Sequence, residues 1–210
     1  LTFLTVFLLA RSHGRLHPAR LILAGVAVAY FFSGLTSFII LTSDNRELAR
    51  TVLAWLLGSL AGTNWSELTL PASALFFGSV YLVLQARGLN ALIVGDETAA
   101  TLGVDLTRFR CSLFLVVSLV TGVMVAVSGA IGFVGLMIPH IVRLMVGTDH
   151  RRVMPVSIFA GSIFLILFDV VARTAFNPVE LPVGVITSLL GGPFFLWLLH
   201  RQMKNLGSMQ

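Results

Sequence analysis

LILAGVAVAYFFSGLTSFIILT, residues 21–42, contains no Asp, Glu, Lys, Arg or His. As an α-helix it would be roughly 33 Å long at 1.5 Å per residue, enough to cross a hydrocarbon core of ~30 Å. Four more runs share that character: Leu68–Ala86, Cys111–Pro139, Val153–Phe168 and Leu181–Leu199. A bilayer leaves few alternatives to helix for them, because backbone N–H and C=O groups in hydrocarbon must pair within the protein. The expected fold is all-α, a polytopic transmembrane helical bundle in one domain, residues 1–210.

The composition agrees with this. Of 210 residues, 57% are hydrophobic and 11% charged, against about 25% charged in an ordinary soluble domain. So few charges leave too little polar surface for a soluble protein, and a disordered chain needs the opposite balance. A single Cys111 excludes a disulfide framework and any multi-cysteine metal site. The net charge of +5 fits basic loops flanking a membrane, so no nucleic-acid partner is expected. No Gly-Lys dipeptide occurs, which removes the phosphate-binding loop of an ATPase. The His-Glu-x-x-His and Gly-x-Ser-x-Gly motifs are also missing. The chain is not expected to be an enzyme; if ATP is used, another chain hydrolyses it.

Leu1–Ala10 reads as the stump of another helix. It lacks the basic start and small-residue cleavage site of a signal peptide. The first residue is Leu rather than Met, so an N-terminal part is expected to be missing. Thr51–Thr63 is too short for a crossing and holds Gly58 and Gly62, which suits a re-entrant or interfacial helix. Ser128–Gly135, SGAIGFVG, should split the long third run into two helices. Lys and Arg favour the cytoplasmic side. If the stump runs inward and Thr51–Thr63 only dips, eleven basic residues lie inside and three, Arg46, Arg50 and Arg173, lie outside. The expected crossings are 20–43, 67–86, 108–130, 133–147, 153–172 and 181–199, with the C-terminus inside. The 133–147 segment is the shortest.

Three segments carry polar chemistry. In Arg87–Arg110, Gly95 precedes Asp96, Glu97 and Thr98, and Ala99–Leu102 lead to Gly103. This is an acidic first turn and a glycine stop, marking a short helix; Leu89–Val94 could form another. Such a pair on the inner surface is either a docking knob or a tucked connector. In Gly129–Arg152, Pro139 should bend its helix, and His140 and Arg143 share a face three residues apart. Structural contacts outweigh metal or proton work for them, because no second ligand stands at helical spacing. In Asp169–Leu199, Asp169 is the only acidic residue in the interior of an expected span, a functional candidate by default. Arg173, four residues on, could equally pair with it. Ser188 with Gly192, and Gly58 with Gly62, have small-xxx-small spacing. Ser33 and Thr36 are ordinary helix-packing groups.

Together, GDETAATLGVD (95–105), SGAIGFVGLMIPHIVRLMVGTDHRRVMP (128–155), DVVART (169–174) and ELPVGVITSLLGGPFFLWLL (180–199) resemble the permease family of bacterial binding-protein-dependent ABC importers for iron-siderophores, haem and cobalamin. The resemblance covers essentially the whole chain. It implies the type II importer permease fold with ten membrane helices, of which this chain would be the C-terminal two thirds. It also implies a homodimer in the bacterial inner membrane, cytoplasmic ATP-binding subunits, a periplasmic substrate-binding protein and a metal-chelate substrate. No cofactor would be bound directly, and ATP would act on the partner subunits. Residues 88–105 would be the coupling helices, with Gly95, Asp96, Glu97, Ala99, Leu102 and Gly103 in the ATPase-docking element. Arg173 would engage glutamates of the binding protein. The helix of 20–43, the re-entrant 47–62 and the final helix would line the path, with Ser33, Thr36, Gly58, Gly62, Pro139, His140, Arg143 and Asp169 as pore or packing candidates. An ion-coupled secondary transporter using Asp169 is the alternative.

Overall fold

The computed structural model describes residues 5, 11–12, 15–16, 18–43, 45–175 and 180–207; side-chain surroundings are described at 5, 20–43, 45–175 and 180–201. Apart from Thr5, the expected stump Leu1–Ala10 lies outside the described residues, as do Asn177 and Pro178 of the turn before the last helix. Among the described residues the regular structure is helical apart from a two-residue antiparallel pairing, β1 Arg11–Ser12 with β2 Arg15–Leu16. The helices are α1 Pro18–Thr42, α2 Arg46–Leu57, α3 Thr69–Leu84, α4 Ala86–Val94, α5 Asp96–Thr101, α6 Leu106–Ser128, α7 Val134–Val146, α8 His150–Thr174 and α9 Val183–Gly207. A single 3-10 turn, Trp65–Glu67, precedes α3.

Four of these, α1, α6, α8 and α9, are long and apolar enough to cross a membrane. The pair α3 and α4 is a fifth candidate, bent by 51° at Gln85. Large apolar side chains point outward along the spans, such as Phe31, Phe77, Phe159 and Leu196. That is the arrangement hydrocarbon solvent requires, and the chain is a multi-pass membrane protein. The caps sit where helices meet water. Asp105 accepts from the Arg108 N–H at 3.1 Å to start α6, Asp149 from Arg151 at 2.9 Å to start α8, and Asn45 from Glu47 and Leu48 to start α2. Each occupies an otherwise orphan amide of a first turn.

Two expectations need correction. The 133–147 segment is not a full-length helical crossing, because α7 has 13 residues, only about 20 Å of helix. The non-helical break 129–133 precedes it. Yet α7 is the centre of packing: Met137, Ile138 and Val142 meet Val153 of α8, with Phe194 of α9 packed alongside. Second, Gly58 and Gly62 do not share a helix face. The helix α2 ends at Leu57, and both glycines have positive φ, 70° and 83°. On α9 the close approach is also not at Gly192, which has open space beside it, but at Gly191, against which the Phe133 side chain packs.

Gly58 terminates α2 where three helices come together. Its C=O accepts the Gly184 N–H at 3.0 Å, and the Ser59 N–H reaches the Ser128 C=O at 2.8 Å. A Cβ on Gly129 would collide with the Trp55 carbonyl, and one on Gly184 with the Leu57 carbonyl. The end of α2, the end of α6 and the start of α9 are thus joined through backbone alone. Phe133, at φ 64°, is the one non-glycine residue with positive φ among the described residues. This costs of order 1 kcal/mol or more, and its packing on Gly191 holds it there.

Gly129→Ala and Gly184→Ala are each expected to destabilise the protein by about 2 kcal/mol or more through overpacking against fixed carbonyls. Gly192→Ala should change stability by less than about 1 kcal/mol. Thermal unfolding in detergent micelles checks the contrast; equal effects at the three sites would contradict it.

Candidate functional site

The bundle has two poles. At one lie the end of α3, the helices α4 and α5, the start of α6, the end of α7 and the start of α8. It gathers Arg87, Arg108, Arg110, Arg143, Arg151 and Arg152. At the other lie the α2–α6–α9 junction and the end of α8, with Arg46, Arg50 and Arg173. The positive-inside rule would set the basic pole toward the cytoplasm, and the two poles are called inner and outer on that basis.

At the inner pole α4 and α5 form a projecting knob. Gly88 lets α4 lie against the Phe109 ring of α6, where a Cβ would stand 2.6 Å from ring carbon. Asn90 reaches the start of α8: its Nδ2 donates to Asp149 Oδ1 at 2.6 Å, and its Oδ1 accepts the His150 N–H at 2.9 Å. Asp96, in the first turn of α5, is paired with Arg110 of α6 at 2.6 Å. Ala99 is fully buried under α5, and its carbonyl accepts the Val104 N–H at 3.1 Å. Gly95 and Gly103 bracket α5 with positive φ, 133° and 84°. Outward face Ile93, Val94 and Leu102, which are 57%, 70% and 69% exposed, together with Asp96 and Glu97. Apolar exposure is ordinary on a lipid-facing span; here it lies on the two short helices that join spans.

At the outer pole Arg173 Nε donates to Asp169 Oδ2 at 2.8 Å. Asp169 is therefore engaged rather than free, and Arg173 remains partly exposed at 41%. Arg46 and Arg50 are exposed on α2. Among the other candidates, Thr36 donates back to the Phe32 C=O at 2.8 Å within α1, and Ser33 is exposed. The helix α1 stands off from α6 across a cleft of about 550 Å³ lined by Gly25, Ala29 and Phe32 opposite Phe114, Ser118 and Gly122. His140 and Arg143 diverge. The His140 ring lies edge-on to Phe194 of α9, centroids 6.3 Å apart. Pro139 and Arg143 line a separate cleft of about 270 Å³ with His150, Ser79 and Ser157.

Sequence reasoning missed Asn90, Gly88 and Gly184, and it passed over the capping role of Asp149. The signal for Asp149 was available, an Asp directly before a helical run. For Asn90 the only hint is one amide inside RGLNALIV. Its partners lie 59 and 60 residues away, which no local pattern reveals.

The Asp149 carboxyl is held below its ordinary pKa of 3.8 by the Arg151 backbone N–H and then by the Asn90 side chain. A carboxylate with a depressed folded-state pKa contributes stability that is present above its unfolded pKa and lost as pH falls through the folded one. The α4–α8 joint should therefore hold from neutral pH down to about pH 4 and open only in stronger acid. Protection factors of the His150 and Arg151 amides in hydrogen exchange measure this, and loss of protection above pH 5 would contradict it.

Comparison with known proteins places this arrangement. The chain is 46% identical over 204 residues to the cobalamin import system permease protein of Halobacterium salinarum, covering 96% of this chain and 54% of that protein. It is 42% identical over 201 residues to the hemin transport system permease protein of Yersinia pestis, covering 95% of this chain and 59% of that one. A solved inward-facing structure described as a metal-chelate type ABC transporter superposes with a TM-score of 0.86 at 32% identity, over 95% of this chain and 63% of that chain. The chain thus spans little more than half the length of these two sequence relatives. The family model of the FecCD transport family matches residues 1–201, and the chain belongs to that family.

Proposed function

We propose that this chain forms the membrane path of an ATP-driven importer of metal chelates, working as a homodimer in the bacterial inner membrane. Cytoplasmic ATP-binding subunits dock on α4 and α5, and an outer substrate-binding protein docks near Arg173. The observation that carries this reading is the exposed apolar tip of Ile93, Val94 and Leu102, held on a knob tied to two spans at the inner pole. The names of the relatives point to cobalamin, haem or another metal chelate as cargo; an iron-siderophore belongs to the same chemical class. The path would run beside α1, α2 and α9, where small residues such as Gly25 and Ala29 leave room for a bulky, largely apolar solute. Pairing of Asp169 with Arg173 counts against an ion-coupled carrier built on that carboxylate.

The mechanism follows from the two poles. The binding protein delivers cargo outside, and ATP draws its subunits together inside. The knob carries that movement to the spans, which open alternately. The complex should be reconstituted with its ATP-binding subunits and outer binding protein and offered cyanocobalamin, haemin and a ferric hydroxamate. ATP-dependent uptake of at least one is the expected result. Uptake that persists without the ATPase and collapses with the proton gradient would overturn the proposal.

Leu102→Asp should cut ATPase docking or coupling about tenfold while leaving outer binding-protein affinity within about twofold. An unchanged ATPase response would remove α4–α5 as the docking element. Arg173→Glu should weaken binding-protein affinity about tenfold, equivalent to ~1.4 kcal/mol. Asp169→Asn, which releases the guanidinium without removing it, should not weaken it. Surface plasmon resonance on the assembled complex separates the two results.

A further inference from the structure

Besides the chain link to α6 and the packing of Gly88 on Phe109, the knob has three attachments, and they differ in stiffness. Its covalent tie to α3 passes through the 51° bend at Gln85. Its tie to α6 at Asp96–Arg110 is an ion pair whose carboxylate is 53% exposed, and such pairs are screened and yield easily. The tie to α8 is different. One half-buried carboxamide, that of Asn90, uses both of its ends. The Nδ2 donates to the Asp149 oxygen that caps α8, while the Oδ1 accepts the His150 backbone N–H and lies 2.9 Å from His150 Nδ1. One contact is thus to the backbone of the first turn of α8, and another is to a carboxylate that is itself bonded to that backbone.

From that grip α8 continues for 25 residues with Pro155 in its second turn, about 37 Å of helix, one backbone hydrogen bond being absent at the proline. It is braced against α7 through Val153, Val156, Ala160 and Phe164, which pack on Met137, Ile138 and Val142. Its far end carries the Asp169–Arg173 pair, and the Ala172 carbonyl accepts the Leu181 N–H at 3.1 Å ahead of α9. A helix held at its first turn and packed on a neighbour beyond its proline can carry a displacement of α4 toward its outer end.

We infer that Asn90 is a positioning residue that makes α8 the strut between the two partner surfaces, so that the state of the ATPase and the state of the outer docking face are linked through one helix; this rests on the docking reading given above. The side chain has little room for change. Ala leaves the His150 N–H and the Asp149 carboxylate without their partner. Asp alone would set a second carboxylate against Asp149, and like charges at that distance repel.

The test uses the assembled complex, with ATP-binding subunits and outer binding protein, in nanodiscs. Three quantities are read for each variant: affinity for the ATP-binding subunits, basal ATP hydrolysis, and its stimulation by the outer binding protein. Asn90→Ala and Asn90→Asp should bind the ATPase within about twofold of the unaltered protein yet lose stimulation by fivefold or more. The double variant Asn90→Asp with Asp149→Asn exchanges the acid and the amide. The bond between 90 and 149 re-forms with donor and acceptor reversed when the new carboxamide turns its nitrogen to residue 90 and its oxygen to the Arg151 N–H, two contacts that the single Asp149 Oδ1 makes in the unaltered protein; the His150 N–H still finds an oxygen at 90. The double variant should recover stimulation to within about twofold. If Asn90→Ala fails to assemble, the Asn90→Asp single variant and the exchange still decide the matter.

Stimulation unchanged in Asn90→Ala or Asn90→Asp would overturn the strut, as would an exchange that assembles but does not recover stimulation. Loss of ATPase binding in the single variants would also overturn it, by reducing Asn90 to a support of the knob. Leu102→Asp distinguishes the failures. If it uncouples while Asn90→Ala does not, the docking reading stands and the strut falls. If Leu102→Asp has no effect, the docking reading itself falls.

Discussion

Backbone amides and carbonyls that leave a helix within a membrane protein must find partners in the protein, because no water stands ready to receive them. Three helix ends meet that demand together at the outer pole. Gly58 and Ser59, leaving α2, bond to Gly184 at the start of α9 and to Ser128 at the end of α6. The distances permit no side chain at Gly129 or Gly184. Much of the bundle's unusual geometry follows from this joint. The short α2 stops where its last groups can be received. The non-helical stretch 129–133 turns the chain from α6 into α7, and Phe133 accepts a left-handed backbone to seat its ring over Gly191.

The inner pole is built on a contrasting principle. Water is available there, so the joints are made by polar side chains: Asn90 with Asp149 and His150, and Asp96 with Arg110. Side-chain joints can be stiff or soft according to whether they grip backbone or another mobile side chain. They leave the apolar residues of the knob facing outward. A backbone junction at one pole and a graded set of polar ties at the other suit the proposed docking of different partners at the two ends. Between them α7, too short to cross by itself, serves as the common packing surface for α8 and α9.

Much of the fold was legible in the sequence because hydrocarbon solvent simplifies the code. Charge-free runs mark spans, and basic residues mark the inner side. Asp105 and Asp149 stand at the water edge of two of the helices. The Asp169–Arg173 pair and the short helix after Gly95 were also legible, since each depends only on neighbours three or four residues away. Glycine spacing misled. Gly58 and Gly62 looked like a packing face because the helix was assumed to continue, and Gly192 looked like the contact where Gly191 makes it. The rotational phase of a helix, and the point at which it stops, depend on what lies beside it.

By itself the sequence determined the solvent, the helical class and the positions of the long apolar runs, because these follow from composition and spacing against a slab of known thickness. The shared outer joint, the central place of the short α7, the divergence of His140 from Arg143, and the hold of Asn90 on the first turn of α8 were decided only in three dimensions. Each of these joins residues far apart in the chain. The strength of such a contact depends on distances of a few tenths of an ångström that no linear pattern encodes.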